Sequence, residues 1–149
     1  MRVLLPASPA SLASPAGSAG SAGDGRVDLH AHYGEGWLPA GGVRVNFVSS
    51  ADGGASAAGQ SRGLQTPGDN AVFAALRDLA DVILVGAATA AAEGYRPSNP
   101  SAARRAIRKG FGLAEAPAIA VMTSSLQLDL SAELFSAAAQ APTLVITGS

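Results

Sequence analysis

The sequence predicts an α/β fold, a mostly parallel sheet flanked by helices. Three observations carry this. Residues 81–86, Asp-Val-Ile-Leu-Val-Gly, form a continuous apolar run of strand length, the pattern of a strand covered on both faces. Strand-length apolar runs at 43–48, 81–86, 117–122 and 142–147 alternate with helical patterns. Polar loops follow the first two runs, at the place where α/β sheets gather ligands. Such alternation implies parallel pairing through right-handed crossovers.

The elements follow in chain order. Residues 7–25 are almost entirely Ala, Ser, Gly and Pro. Such a stretch cannot bury enough apolar surface to offset its ordering entropy. Residues 1–25 are therefore read as a disordered or low-complexity leader and 26–149 as the folding part. Pro6 interrupts the apolar start after three residues, too short for a signal peptide. In residues 26–42, Tyr33 and Trp37 are expected to cover the edge of the core. His30 and His32 stand two apart with no third ligand nearby, so no metal site is expected.

Residues 43–48 read as the first strand and 51–54, Ala-Asp-Gly-Gly, as a turn in which Asp52 bonds its own backbone. A small loop at 55–63 precedes a helix. Thr66 is its cap, Pro67 fits its first turn, and Asp69 stands at a capping-box position. Val72, Phe73, Leu76, Leu79 and Ala80 recur at helical spacing as its buried face, with Arg77 on the flank. After the 81–86 strand, residues 87–92 are a loop or one helical turn, ended by Gly94.

Residues 98–110 read as a surface helix or basic loop carrying Arg104, Arg105, Arg108 and Lys109, stopped by Gly110. Those cations are expected on a solvated face; an anion-binding patch is the alternative. A strand at 117–122, a helix at 131–140 with Leu134 and Phe135 inward, and a strand at 142–147 complete the order.

Composition narrows the function. A net charge of −1 gives no field that would draw nucleic acid or membrane. Aromatic residues are 5% of the chain, too few for a base-stacking platform. The chain has no Cys, which removes thiolate metal sites and cysteine nucleophiles and fits a cytoplasmic protein. No apolar run approaches the roughly 20 residues of a membrane span. The dinucleotide, P-loop, zinc-protease and nucleophile-elbow signatures are all missing from the sequence.

What remains is one dense set of short motifs. Ser50-Ala51-Asp52-Gly53, Gly59-x-Ser61, Leu76-Arg77 and Asp81-x-Ile83-Leu84-Val85-Gly86-x-x-Thr89 stand in that order. Together they resemble the reductase domain of the riboflavin-biosynthesis deaminase/reductase, a dihydrofolate-reductase-like pyrimidine reductase family. Asn46-Phe47-Val48-Ser49-Ser50 with Glu93-Gly94-Tyr95 is similar to its stand-alone, actinobacterial-type members. The resemblance covers residues 42–147.

The resemblance implies NADPH-dependent reduction of 5-amino-6-(5-phosphoribosylamino)uracil to its ribityl form. It places Ser61 and Arg77 on the substrate, Arg77 at its phosphate, and Ser49, Gly63, Thr89 and Glu93 on the cofactor. Ser61, Thr89 and Arg77 are then expected to share one cleft. It also implies a homodimer joined through the sheet. A guanidinium suits phosphate, because its planar fork of donors matches the oxygens. From composition alone, Arg77 reads first as an exposed helix arginine and Ser61 as plain loop, while Thr89 and Glu93 read equally as cap or turn residues.

Two departures stand out. Asn46 occupies the place of a lysine, so a dihydrofolate-like pteridine or another imine is the alternative substrate. A neutral amide can still bond a pyrimidine edge. The family's Glu-Gly-Gly-Pro segment, which opens a phosphate-binding helix, does not occur. The sequence therefore reads as the N-terminal portion of the domain, apparently truncated at its C-terminus and weak or inactive alone. A non-catalytic remnant needing a partner is the further alternative.

Overall fold

The computed structural model describes residues 27–34, 42–56, 61–137 and 141–148. The leader, Trp37, Gly59 and the 138–140 end of the expected helix lie outside the described residues. Five helices and three strands are described: α1 (Leu29–Gly34), α2 (Pro67–Asp78), β1 (Val82–Gly86), α3 (Ala87–Ala92), α4 (Ala102–Gly110), β2 (Ala118–Met122), α5 (Glu133–Ser136) and β3 (Thr143–Ile146). A single 3-10 turn, Ser61–Leu64, precedes α2.

The strands form one open parallel sheet in the order β1-β2-β3. Ile83 pairs with Ile119, Val85 with Val121, and Val121 with Val145. The central strand β2 buries Ile119, Ala120 and Val121 together, so both its faces are covered. That is the environment expected for 81–86, but among the described residues β1 lies at an edge of the sheet, with Val82 exposed. The core on one side of the sheet is Val85, Ala90, Ile119, Val121 and Leu134, with Tyr95, Leu128 and Phe135 packed against it.

Local signals set the helix ends. Thr66 is extended and its Oγ1 accepts from the Asp69 amide at 3.1 Å, as the cap requires. Ser101 caps α4 in the same way through the Arg104 amide at 3.4 Å. Gly94 takes φ +60° after α3, where the Tyr95 amide donates to Ala90 O at 2.9 Å. At the end of α4 the left-handed residue is Gly112, at φ +70°, while Gly110 is still helical.

Three expectations are corrected. Residues 43–48 form no strand; Arg44 makes one isolated bridge and Phe47 is 71% exposed. Alternating apolar residues make a segment compatible with a sheet, but only a ladder partner makes it a strand. Here Arg44 donates to Tyr33 O at 3.4 Å, stacks near the Tyr33 ring, and ties the segment to α1 instead. The 131–140 helix is described only over Glu133–Ser136, because Ala137 is extended. The basic face of 98–110 is not wholly solvated: Arg108 is fully buried.

Candidate functional site

Among the described residues, two cavities flank these elements. The first is a polar pocket of about 110 Å³ between the end of α2 and the start of α4. Arg77, Asp78, Ser98, Asn99, Pro100, Arg104 and Pro117 line it. Arg77 reaches it because it stands on the flank of α2, one residue after the buried Leu76. Its guanidinium carbon lies 5.3 Å from the Phe73 ring centroid and 5.7 Å from that of Tyr95. Phe73 is one helical turn back, and Tyr95 is placed by the Gly94 turn. No hydrogen bond or ion pair among the described residues engages the Arg77 guanidinium. The ring contacts hold the cation without using its N–H donors.

Asp78 organises the pocket floor. Its Oδ1 accepts from Arg104 Nε at 2.6 Å and its Oδ2 lies 3.1 Å from His30 Nε2. A carboxylate buried this deeply needs such partners. Its backbone oxygen takes Arg108 Nη1 at 2.7 Å; the same nitrogen reaches Ala80 O at 2.8 Å, and Arg108 Nε reaches Ala114 O at 2.7 Å. Arg108 thus caps the C-terminal carbonyls of α2. Burial pulls its guanidinium below its usual pKa, while the charges of Asp78 and Asp81 act in the opposite direction.

The second cavity, about 230 Å³, lies between α3 and the β2–α5 connection. Ala87, Ala90, Ala91, Val121, Leu128 and Phe135 are among its lining. It exists because the inner face of α3 is built from alanines, which leave space under α5. Arg96 Nε and Glu133 Oε2, 2.6 Å apart, stand at its rim.

The residues expected at the site are placed unevenly. Arg77 lines the polar pocket; Thr89 lines neither cavity. The Ser61 side chain lies outside the described residues, though its backbone begins the 3-10 turn that also holds Gly63. Thr89 is half-buried in α3 and Glu93 is its exposed C-cap. Asn46 is half-buried and Ser49 exposed, both in the irregular 43–50 segment. Asp52 is a turn-former: Gly53 N donates to Ser50 O at 3.0 Å, and the Ser50 hydroxyl bonds the Asp52 carboxylate. That hydroxyl holds the Asp52 carboxyl below the usual carboxylate pKa. His30 is committed to Asp78, and no group of three His, Cys, Asp or Glu gathers among the described residues.

Sequence reasoning missed Asp78, Ser98 and Asn99. Asp78 carried a signal, because it follows Ala75 by three residues and so falls on the buried face of α2. An acid at a buried helical position calls for a cation, and Arg104 is that cation.

The resemblance implies a nicotinamide dinucleotide near Thr89, on α3. No side chain caps that helix, its first residues are alanines, and a Cβ built on Gly86 would meet nothing closer than Thr89 Oγ1 at 4.0 Å. Backbone amides can therefore approach a cofactor closely there.

Comparison with known proteins agrees with the motifs. The family model described as the RibD C-terminal domain matches residues 42–149. No curated protein matches the chain. A crystal structure of a pyrimidine reductase-like protein from Corynebacterium diphtheriae is similar, with a TM-score of 0.55 and 29% sequence identity. The similarity covers 68% of this chain and 42% of that one, so this chain spans about two fifths of that protein's length. The open parallel sheet flanked by helices is the dihydrofolate-reductase-type fold of such reductases. With motifs, sheet and family model in agreement, the chain belongs to the RibD C-terminal domain family of riboflavin-pathway-type reductases.

Proposed function

We propose that the domain to which this chain contributes uses NADPH to reduce 5-amino-6-(5-phosphoribosylamino)uracil to its ribityl form. The observation that carries this reading is Arg77, a guanidinium stacked near two rings at a small polar pocket, with no hydrogen-bond or ion-pair partner among the described residues. Such a group suits the terminal phosphate of a sugar. NADPH, when bound, supplies the hydride; the chain binds and orients. The uncapped start of α3 and Thr89 would hold the cofactor, and the half-buried Asn46 would face the pyrimidine.

The exposed row Leu144, Val145 and Ile146 on β3, with Met122 beside it, supports a further element of the reading. In the active enzyme this edge is covered by further chain or by a second copy, the homodimer. The test is NADPH oxidation by the full-length parent enzyme with the aminouracil phosphate and, in parallel, with dihydrofolate. Turnover of the first alone is expected, and Arg77→Ala should raise KM at least tenfold with a smaller change in kcat. An unchanged KM removes the phosphate role; turnover of dihydrofolate alone replaces the substrate.

A further inference from the structure

We propose that the cavity beneath α3 is a binding site for a small aromatic amine, which enters ring first and leaves its ammonium at an acidic rim. The site is separate from the Arg77 pocket and does not depend on the reading built there. A helix turns about 100° per residue, so Ala87, Ala90 and Ala91 fall on one side of α3 and Thr89 and Glu93 on the other. The three alanines line the cavity, and neither Thr89 nor Glu93 does. A cofactor held by Thr89 and Glu93 would leave this cavity free, so its occupant is a different molecule.

Apolar walls and volume call for a ring. Val121 and Leu134 are buried at the back of the cavity, and Tyr95 and Phe135 add aromatic faces or edges. A dry apolar cavity of about 150 Å³ is enough to take up benzene. At about 230 Å³, this one holds a single aromatic ring with a short arm. A ring can also meet Tyr95 and Phe135 in the offset or edge-on geometry that aromatic pairs prefer.

The rim sets the charge of the arm. Arg96, Asp129 and Glu133 all belong to the lining. Arg96 Nε lies 2.6 Å from Glu133 Oε2, so the charge of the arginine is already answered. Asp129 has no cationic partner among the described residues. Its Oδ1 accepts from the Ser131 amide at 2.9 Å and from the Ser131 hydroxyl at 2.5 Å. These bonds hold the Asp129 carboxyl below its usual pKa, so it is ionised at neutral pH. Two carboxylates against one guanidinium leave a surplus negative charge at the mouth of an apolar cavity. That combination favours a ring bearing an ammonium and opposes one bearing a carboxylate.

Titration of the isotope-labelled 149-residue chain with benzylamine, followed by NMR, tests this, with benzyl alcohol and benzoate as further probes. Benzylamine is expected to shift the methyl signals of Ala90, Val121 and Leu134. It should bind several-fold tighter than benzyl alcohol, with benzoate weakest. Asp129→Asn combined with Glu133→Gln should remove most of that preference and leave benzyl alcohol unchanged. Ala90→Leu, which fills the cavity, should weaken all three probes at least tenfold. Should circular dichroism show that variant unfolded, Ala91→Leu serves, at a lining position that is exposed enough to accept the larger side chain. Wild-type affinity in a folded filling variant, or shifts confined to residues away from the cavity, overturns the site. Benzoate binding as tightly as benzylamine, or a preference that survives the double variant, overturns the choice of ligand. Absence of saturable binding by every probe overturns both.

Discussion

Arg108, with no exposed surface, donates through Nη1 to the main-chain oxygen of Asp78 at 2.7 Å. The same residue's carboxylate steers Arg104, so the end of α2 is held by one arginine through its backbone and by another through its side chain. Both arginines come from α4, one helical turn apart.

Removing Arg108 should therefore unfasten α2 from α4. Arg108→Ala would leave three carbonyl oxygens, those of Asp78, Ala80 and Ala114, without this donor. A loss of about 3 kcal/mol or more is expected, since each buried acceptor left unpaired costs about 1–3 kcal/mol. Arg108→Lys should fall between, since an ammonium keeps the charge but lacks the fork. Urea denaturation followed by circular dichroism measures both.

Thr66→Ala should cost about 1 kcal/mol, the usual worth of an N-cap side chain. The Asp69 amide loses its acceptor, while Pro67 still preforms the first turn. Thr66→Ser should be nearly neutral. The shift in urea midpoint, at unchanged slope, is the readout.

Acidification should weaken the fold through two turns. The Ser50 hydroxyl depresses the Asp52 carboxyl, and the Ser131 hydroxyl depresses that of Asp129. In the unfolded chain both titrate near the usual value of about 3.9. Because the folded values lie lower, the unfolded state takes up protons first, and stability is lost as pH falls below about 4. Ser50→Ala and Ser131→Ala should flatten that loss. Thermal unfolding from pH 6 down to pH 2 would show it; an unchanged profile in the double variant rejects the assignment.

The β3 edge should promote self-association. Leu144, Val145 and Ile146 are 42%, 43% and 46% exposed in succession, so apolar side chains stand on both faces of an unpaired edge among the described residues. Val145→Lys is expected to reduce association several-fold in sedimentation velocity while shifting the midpoint of unfolding little.

How much of this was legible beforehand divides along physical lines. Thr66, Gly94 and the 81–86 and 117–122 runs were readable, because caps, left-handed turns and buried strands are set by neighbours in the chain. The dense motif set was readable for the same reason. Residues 43–48 misled, because a strand pattern does not name its ladder partner. Arg108 misled too: four clustered cations look like a solvated face until the carbonyls of Asp78 and Ala80, 30 and 28 positions away, arrive to bury one. Of the candidate site, Arg77 was visible by resemblance. The Asp78–Arg104 and Asp78–His30 pairs, 26 and 48 positions apart, are products of packing that no local spacing encodes.

The rings beside Arg77 also dictate a direction of approach. Phe73 and Tyr95 shield the cation on the sides they occupy, so an anion bound as proposed would approach past the remaining lining, which includes Ser98 and Asn99. A long side chain already stilled by stacking gives up little freedom on capture. Association at this corner should thus resemble a key meeting a fixed ward more than a hand closing on its object.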